Sequence, residues 1–248
     1  MTGPARVALV TGSTSGLGLA IARRLAAEGF VVATHGRRPV DDGLAMARAV
    51  GPGVSYHRAD LADEAEARAL VPAVLAAHGR LDVLVNNAGE VTRFPHSDLQ
   101  AATPAVWRRM FDVNVVGPWL LVAEAEAALR ASAAMGRPAC VLNIGTHAAV
   151  RPKGSSIPYA ASKAALHHVT KLLALTLGPA IRVNALAPGL IDTPMAAGWK
   201  AAYDLWNEKA PMRRGAQPED IADMALALIR NDYVTGEIVL MDGGMNLT

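Results

Sequence analysis

Short apolar runs alternate along the chain with longer stretches in which hydrophobic residues recur every three or four positions. The runs fall at residues 6–10, 30–34, 54–57, 81–85, 140–144, 181–185 and 237–241. Several are continuously apolar, the pattern of parallel strands covered on both faces. Between them, residues 17–28, 44–50, 64–78, 104–134, 156–177 and 218–230 carry the period of helices. This alternation predicts an α/β fold: a doubly wound parallel sheet of about seven strands, with right-handed crossovers and helices on both faces. No linker, repeat or break in composition divides the chain. Residues 1–248 therefore read as a single domain.

Two stretches depart from the rhythm. Residues 103–134 are long for one crossover helix and could face a partner subunit. Residues 190–216 form an insertion carrying Met195, Trp199, Tyr203, Trp206 and Met212. Trp199, Tyr203 and Trp206 would share one face of a short helix. That helix either packs on the body or forms a lid with an apolar face over a substrate.

The join between the first strand and the first helix reads Thr11-Gly12-Ser13-Thr14-Ser15-Gly16-Leu17-Gly18. Residues without a Cβ suit a tight turn, and a helix N-terminus offers free N–H groups and a positive dipole end to a pyrophosphate. A plain β–α turn is the alternative. The end of the second strand, Thr34-His35-Gly36-Arg37-Arg38, has no carboxylate to bind a ribose 2′-hydroxyl. A guanidinium forks onto a 2′-phosphate instead. This favours NADP, with NADPH preferred over NADH and Arg37 as first choice before Arg38. A merely solvated basic turn is the competing reading.

Composition narrows the classes. Hydrophobic residues make up 52% and charged residues 19%, which argues against disorder. The formal net charge is +2, without a basic block or interleaved aromatics, so nucleic-acid binding gains no support. No apolar run reaches the length of a membrane span. Met1 to Pro4 lack the basic and apolar regions of a signal peptide, so a cytoplasmic protein is expected. The lone cysteine, Cys140, lies in an apolar run and reads as a buried thiol. No metal-ligand spacing appears.

Taken in order, the motifs resemble those of the short-chain dehydrogenase/reductase family over essentially the whole chain. The Thr-Gly-x3-Gly-x-Gly motif is Thr11 to Gly18, and the acid after the third strand is Asp60, followed by Leu61. The Asn-Asn-Ala-Gly motif is Asn86 to Gly89, and the Asn of the long fourth helix is Asn114. The Tyr-x3-Lys motif is Tyr159 to Lys163. The Pro-Gly turn with its Thr is Pro188, Gly189 and Thr193, and the last strand leads to Asp242-Gly243-Gly244. One position departs: the Ser usual thirteen residues before the Tyr is Thr146. Threonine keeps the hydroxyl and adds a methyl, so the role should survive in a slightly narrower pocket.

The resemblance implies a Rossmann-like fold and an oxidoreductase moving a hydride between NADP(H) and a carbonyl or secondary alcohol. Tyr159 would act as acid and base. A free phenol has a pKa of about 10, and Lys163, one turn along, would lower it and bind the nicotinamide ribose. Thr146 would hold the carbonyl oxygen. Asn114 would help hold a water for a proton relay. The implied cofactor contacts are Gly12, Ser13, Thr14, Ser15, Gly16, Leu17 and Gly18 at the turn, then Arg37, Asp60 and Leu61. Asn87, Ala88 and Gly89 would pass backbone beside it. Tyr159, Lys163, Pro188, Gly189, Ile191 and Thr193 would surround the nicotinamide.

Candidate substrate-pocket residues are Phe94, His147, Met195, Trp199, Tyr203 and Trp206, with Val91, Arg93, His96 and Pro152 nearby. His147 could touch substrate or be an exposed loop residue. The substrate itself stays open. A ketone or alcohol, a 3-oxoacyl thioester, and an NAD-linked alcohol or sugar dehydrogenation all fit. A non-catalytic dinucleotide-binding protein fits less well, because a binder has no need of the Tyr159–Lys163 pair. A thioester carrier would need a basic surface, for which Arg108, Arg109 and Arg130 are candidates. By resemblance, a homotetramer or homodimer is expected.

Overall fold

A computed structural model describes residues 5–248. The leader reading on Met1 to Pro4 therefore lies outside the described residues. Seven parallel strands form one sheet: β1 (Val7–Val10), β2 (Val31–Gly36), β3 (Ser55–Arg58), β4 (Val83–Asn86), β5 (Ala139–Ile144), β6 (Ile181–Pro188) and β7 (Ile238–Met241). Their order is β3-β2-β1-β4-β5-β6-β7. The crossovers are helical: α1 (Gly16–Ala27), α2 (Val40–Arg48), α3 (Glu64–His78), α4 (Pro104–Phe111), α5 (Gly117–Ala133), α6 (Ile157–Leu177), α7 (Lys200–Lys209) and α8 (Pro218–Arg230).

The continuous apolar runs are explained by two cores. Val7 and Leu9 point into one, with α3, α5 and α6, while Ala8 and Val10 point into the other, with α1 and α8. A strand buried on both faces favours apolar residues at successive positions, and the buried polar ones, such as His35 and Asn143, are hydrogen-bonded. Cys140 is fully buried in the second core.

The long helix foreseen over residues 104–134 is interrupted. Between α4 and α5, Asp112–Val116 form a π-helical turn, and Asn114 sits in its middle. Such wide turns are concentrated at functional sites. Strand order reverses between β1 and β4, opening a crevice at the carboxyl ends of the strands where α/β sheets bind ligands. Among the described residues, no helix is long and apolar enough to cross a membrane.

Candidate active site

A cleft of about 570 Å³ occupies this crevice. One end is built by the glycine turn. Gly12 and Gly16 have positive φ (64° and 52°), which only glycine adopts without strain. A Cβ on Gly18 would lie 2.3 Å from the Gly12 carbonyl and 2.4 Å from Asn87 Nδ2, so the helix can approach the turn only with glycine there. Asn87 Nδ2 donates to the Thr11 carbonyl (2.8 Å), and Thr11 Oγ1 accepts from the N–H groups of Asn87 and Ala88. The β1 and β4 turns are thereby locked together.

No side chain caps α1, and its first turn carries no acid. Its orphan N–H groups and dipole face the cleft unneutralised. Thr14, Ser15, Gly16, Leu17 and Gly18 line the cleft there. Ser13 does not: it is buried, its hydroxyl donates to the Val10 carbonyl and accepts from the His35 N–H. Its expected cofactor contact is replaced by a structural one. His35, which sequence reasoning passed over, braces the same turn. Its Nδ1 accepts from Gly12 N–H (3.1 Å) and its Nε2 meets the Ala59 carbonyl (3.1 Å). Burial lowers its pKa to about 4, so the neutral ring with the proton on Nε2 is the one that fits.

Arg37, Asp60, Leu61, Asn87, Ala88 and Gly89 line the same end of the cleft. Arg38 does not; its carbonyl accepts from the Tyr56 hydroxyl (2.9 Å). Arg109 and Glu90, absent from the expected cofactor set, also line it. Arg109 pairs with both Glu90 and Asp60.

At the other end Tyr159 and Lys163 rise from the first turns of α6. Ser156 caps that helix through the Tyr159 N–H (3.4 Å). Lys163 is buried, and its ammonium donates to the Ile144 carbonyl at 2.7 Å. Burial brings its pKa down to about 8. The phenol of Tyr159 is pushed up by burial, and the group drawing it back is the Thr146 hydroxyl. The expected lowering by Lys163 is thus not the effect that governs it here. Thr146 closes a short turn after β5, its hydroxyl accepting from Ala148 N–H at 3.3 Å.

Asn114 is fully buried and does not line the cleft. Its Oδ1 accepts from the Glu90 N–H (2.9 Å), and its Nδ2 donates to the Glu90 carbonyl and to Ser162 Oγ (3.0 Å each). The side chain clamps the β4 loop to α6.

The insertion leaves and returns at one neck, where Ile191 bridges Ala216 and Asp192 N–H donates to the Ala216 carbonyl (2.9 Å). It carries α7, none of whose residues is buried. Met195, Trp199 and Trp206 line the cleft, but Tyr203 does not: its hydroxyl donates to Asp192 (2.9 Å). Phe94 is also outside the lining; its backbone N–H ties the β4 loop to the Ser155 carbonyl (3.1 Å). His147 lines the cleft but is only 5% exposed. It sits 3.4 Å from Asp242 and edge-on to Trp206, so it is no exposed loop residue. The Arg93 guanidinium stacks over Trp199 at 5.1 Å, linking the β4 loop to the insertion. Pro188, Gly189, Ile191 and Thr193 complete the wall, and a Cβ on Gly189 would press on Trp206 at 3.0 Å.

These features fit a dinucleotide. There is a close-packed glycine turn, an uncapped helix N-terminus, and a guanidinium at the far end of β2. Among the described residues no His, Cys, Asp and Glu group could hold a metal ion.

Comparisons with known proteins agree. A family model described as Enoyl-(Acyl carrier protein) reductase matches residues 12–246. The chain is 47% identical to "Granaticin polyketide synthase putative ketoacyl reductase 2" of Streptomyces violaceoruber, over 98% of this chain and 97% of that one. It is similar in structure to the 3-ketoacyl-(acyl-carrier-protein) reductase of Brucella melitensis complexed with NADH. There the TM-score is 0.88 and identity 33%, over 97% of this chain and 98% of the other. It is also similar to the RhlG/NADP active-site complex of Pseudomonas aeruginosa. There the TM-score is 0.88 and identity 34%, over 97% of this chain and 96% of the other.

Proposed function

The chain belongs to the short-chain dehydrogenase/reductase family and is an oxidoreductase, and on that premise we propose that it interconverts a carbonyl and a secondary alcohol with NADP(H). The observation that carries this reading is a single cleft lined by Tyr159, Lys163 and Thr146 at one end and by the uncapped α1 turn and Arg37 at the other.

NADPH, when bound, supplies the hydride that reaches the carbonyl carbon. Tyr159 gives its phenolic proton to the oxygen that gains charge, so the alcohol leaves with one hydride and one proton added. In the reverse direction the phenolate takes that proton back. Thr146 holds the oxygen by hydrogen bond, next to the phenol whose pKa it lowers. Lys163, its ammonium held at the Ile144 carbonyl, would be the donor for the nicotinamide ribose. Asn114 acts through position, fixing the β4 loop against α6. Residues 190–216 serve as the lid, with Trp199 and Trp206 as its apolar lining over the substrate.

Two similar proteins are named as ketoacyl reductases, and this favours a 3-oxoacyl thioester as substrate class. Assembly through α5 and α6 is proposed as well, because Trp119, Leu172 and Leu175 stand exposed on them. Light scattering checks for a homodimer or homotetramer.

The test is fluorescence titration with NADPH and NADH, in wild type and Arg37→Ala, beside reduction of an N-acetylcysteamine 3-oxobutanoyl thioester. The reading expects tighter NADPH binding, loss of that preference in Arg37→Ala, and thioester-dependent NADPH oxidation. Equal or tighter binding of NADH would make it an NAD-linked dehydrogenase instead.

A further inference from the structure

Arg37 is not free in the cleft. Its Nη1 lies 3.6 Å from Glu90 Oε2. The same oxygen accepts from Arg109 Nε at 3.0 Å and lies 2.9 Å from Arg109 Nη2. Arg109 also forks onto Asp60 at 3.3 to 3.4 Å. All four side chains line the cleft, and their formal charges cancel. Glu90 directly follows the Asn-Asn-Ala-Gly motif, and Asn114 grips its backbone from both sides. A carboxylate is therefore fixed beside the guanidinium that a 2′-phosphate would need.

We propose that Glu90 is a specificity-determining residue that sets how strongly the cleft prefers a 2′-phosphate over a 2′-hydroxyl, with Arg109 holding it in check. The inference rests on the reading that Arg37 receives the 2′-phosphate. Glu90 has its shorter contacts to Arg109, so Arg37 is the partner it can yield. Arg109 then neutralises the carboxylate that would otherwise repel the phosphate or recapture Arg37. An uncharged 2′-hydroxyl gains little from either change. Glu90 thus acts on the discrimination between nucleotides rather than on affinity for both. Asp60 also feels the Arg37 charge, but less than that of Arg109, so the larger part of the Arg109 effect on Arg37 runs through Glu90.

The experiment is fluorescence titration of NADPH and NADH with wild type, Glu90→Gln, Arg109→Gln and the double variant, each checked for folding by circular dichroism. Glu90→Gln should raise the NADPH preference about fivefold, the size of one partly exposed charge interaction. Arg109→Gln should lower it by a similar factor, and adding Glu90→Gln should abolish most of that loss. Should Glu90→Gln fail to fold, Arg109→Gln still decides: an unchanged preference there overturns the proposal. A preference that stays the same in Glu90→Gln, or an Arg109 effect that persists undiminished without Glu90, also overturns it. If either occurs while Arg37→Ala still abolishes the preference, this inference falls and the cofactor reading stands. If wild type binds neither nucleotide, the cofactor reading falls and takes this inference with it.

Discussion

Acid should loosen the glycine turn through one buried ring. His35 is 2% exposed and holds Gly12 N–H with an unprotonated Nδ1. Its pKa in the folded chain is about 4, against 6.5 for a free histidine. The unfolded chain therefore binds a proton near 6.5 that the folded chain refuses until about 4. Stability from this group is present above that window and is lost as pH falls through it. Linkage between those two values gives a loss of about 2 kcal/mol on going from pH 7 to pH 5. Urea unfolding of wild type and His35→Gln at the two pH values measures it. At neutral pH the variant should be weaker by about 1 kcal/mol, for the imperfectly replaced hydrogen bonds. Its further loss on acidification should be smaller than that of wild type by about 2 kcal/mol. Carboxylates and the other histidines titrate in both proteins and cancel in the comparison. An equal acid loss in the two proteins would refute the reasoning.

Gly18→Ala should lower stability by about 1–3 kcal/mol and weaken NADPH at least about tenfold, because the new Cβ meets the Gly12 carbonyl and Asn87. Urea melts and nucleotide titration read the two effects separately. Burial leaves Lys163 with a pKa of about 8, and in the proposed reaction its charged form donates to the ribose. NADPH affinity should therefore hold below about pH 8 and fall above it, by up to about tenfold per pH unit, while Lys163→Met binds weakly with no such break. A pH series of titrations on both proteins checks this.

The fold was legible because its signals are local. Seven apolar runs and their helical partners recur in order, and α3 and α8 begin and end where their caps and periodicity put them. Asp63 caps α3, and Gln217 with Asp220 forms the box at α8. The glycine turn and the Tyr159–Lys163 pair were readable for the same reason. What escaped depends on residues far apart in sequence. The Arg37–Glu90–Arg109–Asp60 chain joins the segments after β2, β3 and β4 to α4, and no spacing rule connects them. Glu90 did leave a trace, a carboxylate directly after a glycine motif. Ser13 has the right residue type for a phosphate contact, but its hydroxyl is claimed by Val10 and His35. The helix over residues 104–134 looked continuous, since a π turn of five residues is too short to interrupt a helical period read over thirty, and Asn114 is buried within it. Tyr203 shared a helical face with Trp199 and Trp206, but Asp192 holds its hydroxyl.

The proposed reaction depends most directly on the phenol of Tyr159. The decisive measurement is single-turnover oxidation of NADPH by the 3-oxobutanoyl thioester, followed at the nicotinamide absorbance, in wild type and Tyr159→Phe. Removing the proton donor should slow the step by about 10²–10⁴-fold while leaving the Kd for NADPH within about threefold. A Tyr159→Phe enzyme that turns over within about threefold of wild type would contradict the account, since the proton would then come from elsewhere.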